Sequence, residues 1–197
     1  MVVLVCLDPG HGGADYGAVG NKLSEKEVCL NIARHIRRQL LRYDGLQVTM
    51  TRSMDVTTST EERIQWANQC GADLFLSIHT NASLDPKASG FASYVSVVAG
   101  CETRRIQCWL HNQIALFMRK HGVADLGKKN DTEWIDGQML ELRQVKMPAI
   151  AVKSLFITHE EDNHLLSHES FIEEYAKCIA DGIARIYKCR RKEEASV

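Results

Sequence analysis

Apolar runs of strand length alternate along the chain with longer segments in which apolar residues recur at helical spacing. Val2–Leu7 is a continuous apolar run of the kind a buried strand shows. Val28, Ile32, Ile36 and Leu40 follow at four-residue steps, one buried stripe of a helix. Ser24 precedes that helix as an N-cap, and Glu27 completes a capping box. Gly45 breaks the pattern and Leu46–Thr51 predicts a strand. Ser59 with Glu62 opens a second helix through Ile64 and Ala67 to about Cys70, which Gly71 ends. Asp73–Ile78 is the next strand, with His79 at its C-terminal end, and Phe91–Val98 another.

Residues 103–121 predict an amphipathic helix capped by Thr103, with Gly122 just beyond its end, and 122–137 predict a polar loop. Met139–Leu142 and Ala149–Val152 are short strand candidates around Pro148. Ser170 and Glu173 suggest a third capping box, for a last helix carrying Phe171, Tyr175, Ile179, Ile183 and Ile186. This alternation predicts an α/β fold: one domain with a twisted, mainly parallel sheet flanked by helices on both faces. Residues 1–189 would form the domain, and 190–197 a charged, frayed tail.

Composition narrows the function. The 197 residues are 45% hydrophobic and 25% charged, enough for a full core and unlike a disordered chain. A net charge of −1 argues against a broad electrostatic grip on nucleic acid. No apolar run approaches the roughly 20 residues of a membrane span. The N-terminal run lacks a basic flank and a cleavage site, so it reads as a core strand and not a signal peptide, with synthesis in the cytoplasm. Seven scattered cysteines without a C-x-x-C pair predict reduced thiols and not a disulfide framework. Cys101, Cys108 and His111 could form part of a zinc site, but they fall within a helix pattern and read better as ordinary helix residues.

Chemistry concentrates at Asp8-Pro9-Gly10-His11-Gly12-Gly13, a loop leaving the first strand. A dinucleotide loop would need glycine at Asp15 and a helix opening at once, and neither is present. A metal fits better. His11 and His79 end two strands and converge if those strands lie close in the sheet. Glu25 stands in the first turn of the helix that follows, and Glu27 is engaged by its cap. Two imidazoles and one carboxylate suit zinc with an open position, although a strand-end histidine is also an ordinary structural residue.

The sequence resembles the catalytic domain of zinc-dependent N-acetylmuramoyl-L-alanine amidases, which cut the amide between N-acetylmuramic acid and L-alanine in bacterial peptidoglycan. The resemblance rests on LDPGHGGADYGAVG at 7–20, SEKEVCLNIA at 24–33, VTMTRSMD at 48–55, ERIQWAN at 62–68, DLFLSIHTNAS at 73–83 and MPAIAVKSLFIT at 147–158. It implies that His11, Glu25 and His79 bind one zinc ion, that the partner is peptidoglycan or a muramyl peptide, and that the site of action is the cell wall. Arg63 and Asn81 match family positions that could contact substrate, or serve as an ion pair and a turn cap.

The chain also departs from the family. Lys153 stands where the family has a proton-transferring glutamate, and Leu155 where it has glycine. Asp125-Leu126-Gly127 lacks an arginine common before that last glycine. A lysine, with an ordinary pKa of about 10.4, is a cation at neutral pH and cannot take a proton from water. Three readings remain open. Lys153 is neutral in its site and acts as a base; another group such as His159, Glu160 or Glu161 moves the proton; or the chain is a catalytically impaired zinc module that binds wall peptides or regulates an active amidase.

Overall fold

The computed structural model describes residues 2–134 and 137–193. Six strands form the main sheet. β1 (Val3–Pro9) lies between β4 (Leu46–Met50) and β5 (Leu74–Asn81), and β5 pairs with β8 (Ala149–Phe156), all parallel. β6 (Phe91–Val95) runs antiparallel to β8, and β7 (Asp125–Asn130) runs parallel to β6. A two-stranded hairpin, β2 (Val19–Gly20) and β3 (Leu23–Ser24), precedes α1 (Glu25–Leu40). The sheet is thus mainly parallel, with both departures at one side.

Alternation in the strands divides the core between the two faces. Val5 and Leu7 of β1, with Leu76 and Ile78 of β5, pack toward α1, α3 (Cys101–Lys120) and α6 (Glu169–Ile186). Cys6, Phe75, Ala149 and Ala151 face the other way, into a smaller cluster with Ala67 of α2 (Thr60–Cys70) and Leu142 of α4 (Leu140–Gln144). The remaining helix, α5 (Glu160–Ser167), links β8 to α6. Helices cover both faces of one domain, as the pattern predicts.

The local differences have identifiable causes. Ser24 does precede α1, but its hydroxyl donates to Glu27 Oε2 at 2.6 Å and caps no backbone amide; the Glu25 and Lys26 amides bond to the carbonyls of Ala18 and Tyr16. The Ser59–Glu62 capping box is complete, and Gly71 closes α2 at φ 64°. The expected third box is not formed. α6 starts at Glu169 behind His168, which leaves Ser170 inside the helix. α3 starts at Cys101 behind Gly100, two residues before Thr103. The stretch expected as a polar loop contains β7, a charged edge strand whose Lys128 and Lys129 suit an exposed sheet margin. Residues 140–144 form the short helix α4 where a strand is expected. The start of the tail is docked and not frayed: the Lys192 amide bonds to Arg42 O, and Asp44 to Arg190 O.

Leu155 has φ 62°, a left-handed conformation that favours glycine, yet its side chain is fully buried. The backbone cost of about 1–2 kcal/mol is of the size that burying a leucine returns, about 1.5–3 kcal/mol. All seven cysteines are free thiols.

Candidate metal centre and its cleft

Parallel strands bring the C-terminal ends of β1, β5 and β8 to one edge of the sheet, where open α/β sheets hold ligands. His11 follows β1, His79 lies near the end of β5, and Lys153 on β8 is the register partner of His79. Glu25 opens α1, which packs across β1 and β5. His11 Nε2 lies 3.2 Å from Glu25 Oε2, and His79 Nδ1 lies 3.0 Å from Glu25 Oε1. One donor atom from each of the three residues falls within 4.8 Å of the others. The fold therefore brings together the three residues singled out in the sequence as a metal triad.

The surroundings fix each donor. Asp15 Oδ2 is 2.8 Å from His11 Nδ1, so Nε2 is the nitrogen turned toward Glu25. The Ala18 and Thr80 amides each donate to a Glu25 oxygen at 3.0 Å. Burial alone would raise the Glu25 carboxyl, but hydrogen bonds from His11 and His79 outweigh it and hold the group well below its ordinary range. Burial, then the Lys153 charge, lowers His79 and favours the neutral imidazole that a metal requires. Burial also acts to lower His11, but Glu25 and then Asp15 raise it above its ordinary value.

Two glycines make this convergence possible. A Cβ on Gly10 would lie 2.2 Å from His79 Cε1, and one on Gly17, at φ 63°, 2.6 Å from His11 Cδ2. Gly10→Ala is expected to displace the His79 ring, weaken metal binding and cost about 1–3 kcal/mol by overpacking, which metal titration and thermal melting would measure. Arg52, almost fully buried, pins the loop by donating to the carbonyls of Pro9, Gly10 and Lys26. Lys26 adds a bond to Gly13 O and an ion pair with Asp55. Asp15→Asn is expected to lower metal affinity about 10–100-fold, the usual effect of losing a carboxylate behind a ligating histidine. Competition against a zinc-sensitive dye would read it.

The cluster opens into a cleft of about 490 Å³ lined also by Thr80, Ala82, Trp134, Met139, Glu141 and Lys153. Lys153 is buried, and its Nζ sits 3.6 Å from the centre of the Trp134 ring. Trp134, Glu141 and Asp15 carry no recognisable spacing signal; the contact of Lys153 with its ring reveals Trp134, and the packing of α4 reveals Glu141.

Other expected site residues lie elsewhere. Arg63 is buried and paired with Asp8, 3.1 Å from Oδ2, and is not part of the cleft lining; Asp8 also accepts from Thr51 and Ser77, making a polar anchor inside the sheet. Asn81 is likewise turned inward, donating to Lys153 O at 3.4 Å across a register shift between β5 and β8. His111 bridges Ser93 and Asp125, while Cys101 and Cys108 are exposed, so these three form no metal cluster among the described residues. His159 caps α5 by accepting from the Asp162 amide, and Glu160 and Glu161 line a separate hollow with His121 and His164.

Fold and site define a class: an α/β domain with a largely buried His/Glu/His cluster, His11 being half-buried, at the C-terminal ends of its central strands. The sequence profile of the N-acetylmuramoyl-L-alanine amidases matches residues 5–185, and the chain belongs to that family. It is 35% identical to the endolysin of Bacillus phage SPP1, over all of this chain and 70% of that protein. It is 33% identical to the sporulation-specific N-acetylmuramoyl-L-alanine amidase of Bacillus subtilis, over all of this chain and 72% of that one. Among solved structures, the catalytic domain of the amidase CwlV from Bacillus (Paenibacillus) polymyxa superposes with a TM-score of 0.86 at 27% identity, covering 96% of this chain and 100% of that one.

Proposed function

We propose that this chain is a zinc-dependent hydrolase of the amide between the lactyl group of N-acetylmuramic acid and L-alanine, acting on peptidoglycan in the bacterial cell wall. Residues 1–189 are assigned to the catalytic unit and 190–197 to a tail. His11, Glu25 and His79 are the ligands of one zinc ion. The observation that carries this reading is the convergence of two imidazoles and a buried carboxylate within 4.8 Å, beside a cleft large enough for a peptide. Two nitrogens and one carboxylate oxygen match the chemistry of a zinc site that keeps a position open. Bound there, the ion would polarise the scissile carbonyl and acidify water. The chain's own part is to hold the donors: Asp15 orients His11, the Ala18 and Thr80 amides orient Glu25, and burial, then Lys153, lowers the His79 imidazole below its ordinary value.

One observation favours a second reading. Lys153 is the register neighbour of His79, and an ammonium donates hydrogen bonds but accepts none. A zinc module that holds muramyl peptides without cutting them, or that regulates an active amidase, has the same site.

Incubating the zinc-loaded protein with peptidoglycan and analysing the supernatant by mass spectrometry decides between them. Free stem peptides, lost on chelation and in His79→Ala, are the expected result. Product from Lys153→Glu alone would leave the binding module as the function.

A further inference from the structure

We propose that Glu141 is the catalytic residue that carries the proton in this hydrolysis; the inference rests on the amidase reading above. The reaction adds water across a C–N bond. The water oxygen bonds to the lactyl carbonyl carbon, and the C–N electron pair goes to nitrogen. One water proton must reach that nitrogen for the alanine amine to leave. The proton of the new carboxyl follows, giving a carboxylate and an ammonium. A side chain that takes the first proton and hands it on has to accept and then donate.

Among the described residues, two carboxylates line the cleft, Glu25 and Glu141. Both oxygens of Glu25 are occupied, by His11, His79 and two backbone amides. Glu141 is only 9% exposed, yet no hydrogen bond or ion pair ties its carboxylate among the described residues. Its carboxylate oxygens are not sealed away from the cleft, so they are available to an incoming water or amine. Its position is nevertheless fixed. Met139 and Leu142 on either side are buried with Ala149 and Ala151 of β8. Arg143 is paired with Asp131, which also accepts from the Val97 amide. A group held in place by its neighbours while its own charge stays uncommitted suits proton transfer. The other acceptors considered from the sequence, His159, Glu160 and Glu161, do not line this cleft.

The test uses the full zinc-loaded chain, with stem-peptide release followed over time. E141Q is expected to lower kcat about 10²–10⁴-fold while KM, zinc content and thermal midpoint stay unchanged. The double variant E141Q/K153E, which places a carboxylate beside His79, is expected to regain at least about tenfold of that loss. E141D keeps the group and is expected to retain more activity than E141Q. Activity of E141Q within about threefold of the unmodified chain overturns the proposal, as does a loss that follows zinc content or thermal midpoint, or one that Lys153→Glu does not relieve. Product from the unmodified chain keeps the amidase reading intact in each of those cases; no product from it removes both.

Discussion

Replacing Glu25 by glutamine is expected to reduce stem-peptide release about a thousandfold, the equivalent of about 4 kcal/mol of transition-state stabilisation. Glutamine is nearly isosteric, and its carbonyl can still accept from the Ala18 or Thr80 amide that now holds the carboxylate. What it cannot supply is the negative charge between His11 and His79. Metal analysis of the purified variant should show substoichiometric zinc, with circular dichroism unchanged. Full zinc occupancy with full activity would remove Glu25 from the ligand set.

The second large effect concerns stability. Asp131 is fully buried, paired with Arg143 and bonded to the Val97 amide at 2.8 Å. Burial pushes its carboxyl up, but the Arg143 hydrogen bond, with the Val97 amide, outweighs burial and lowers it. Because the folded-state value is depressed, the contribution is present above the unfolded value of about 3.9 and is lost as pH falls through the folded one. Asp131→Ala is expected to cost about 3 kcal/mol, since it leaves a partly buried guanidinium uncompensated. Urea titration at neutral pH should show a lower midpoint with an unchanged slope. The difference between variant and unmodified chain should shrink below about pH 4. A difference that stays constant into acid would mean that the ion pair contributes nothing. Arg143 belongs to α4, so this variant should also slow catalysis through Glu141.

The sequence showed the core of this architecture because the central strands β1 and β5 open on apolar runs, Val3–Leu7 and Leu74–Leu76, and α1 carries a regular stripe. Their ends therefore located His11 and His79, and the helix start located Glu25. β7 was hidden because an edge strand of Asp, Lys and Asn has no apolar face to register. α4 was hidden because five residues are too few to show a helical period. Glu141 was lost with it, since a single glutamate between two leucines gives no signal until the helix is seen to face the cleft. Arg63 and Asn81 show how sequence leaves two roles open where structure shows the contacts made. Both stand near motif residues in sequence, but tertiary hydrogen bonds direct them inward, to Asp8 and to the Lys153 carbonyl.

The pairing of His79 with Lys153 across β5 and β8 has an evolutionary consequence. Neighbouring strands are held about 4.8 Å apart by their backbone ladder, whatever side chain position 153 carries. Lysine and glutamate codons differ only in their first base. A lineage can therefore reverse the charge beside the candidate metal centre by one mutation, without altering the strand pairing that places position 153 against His79.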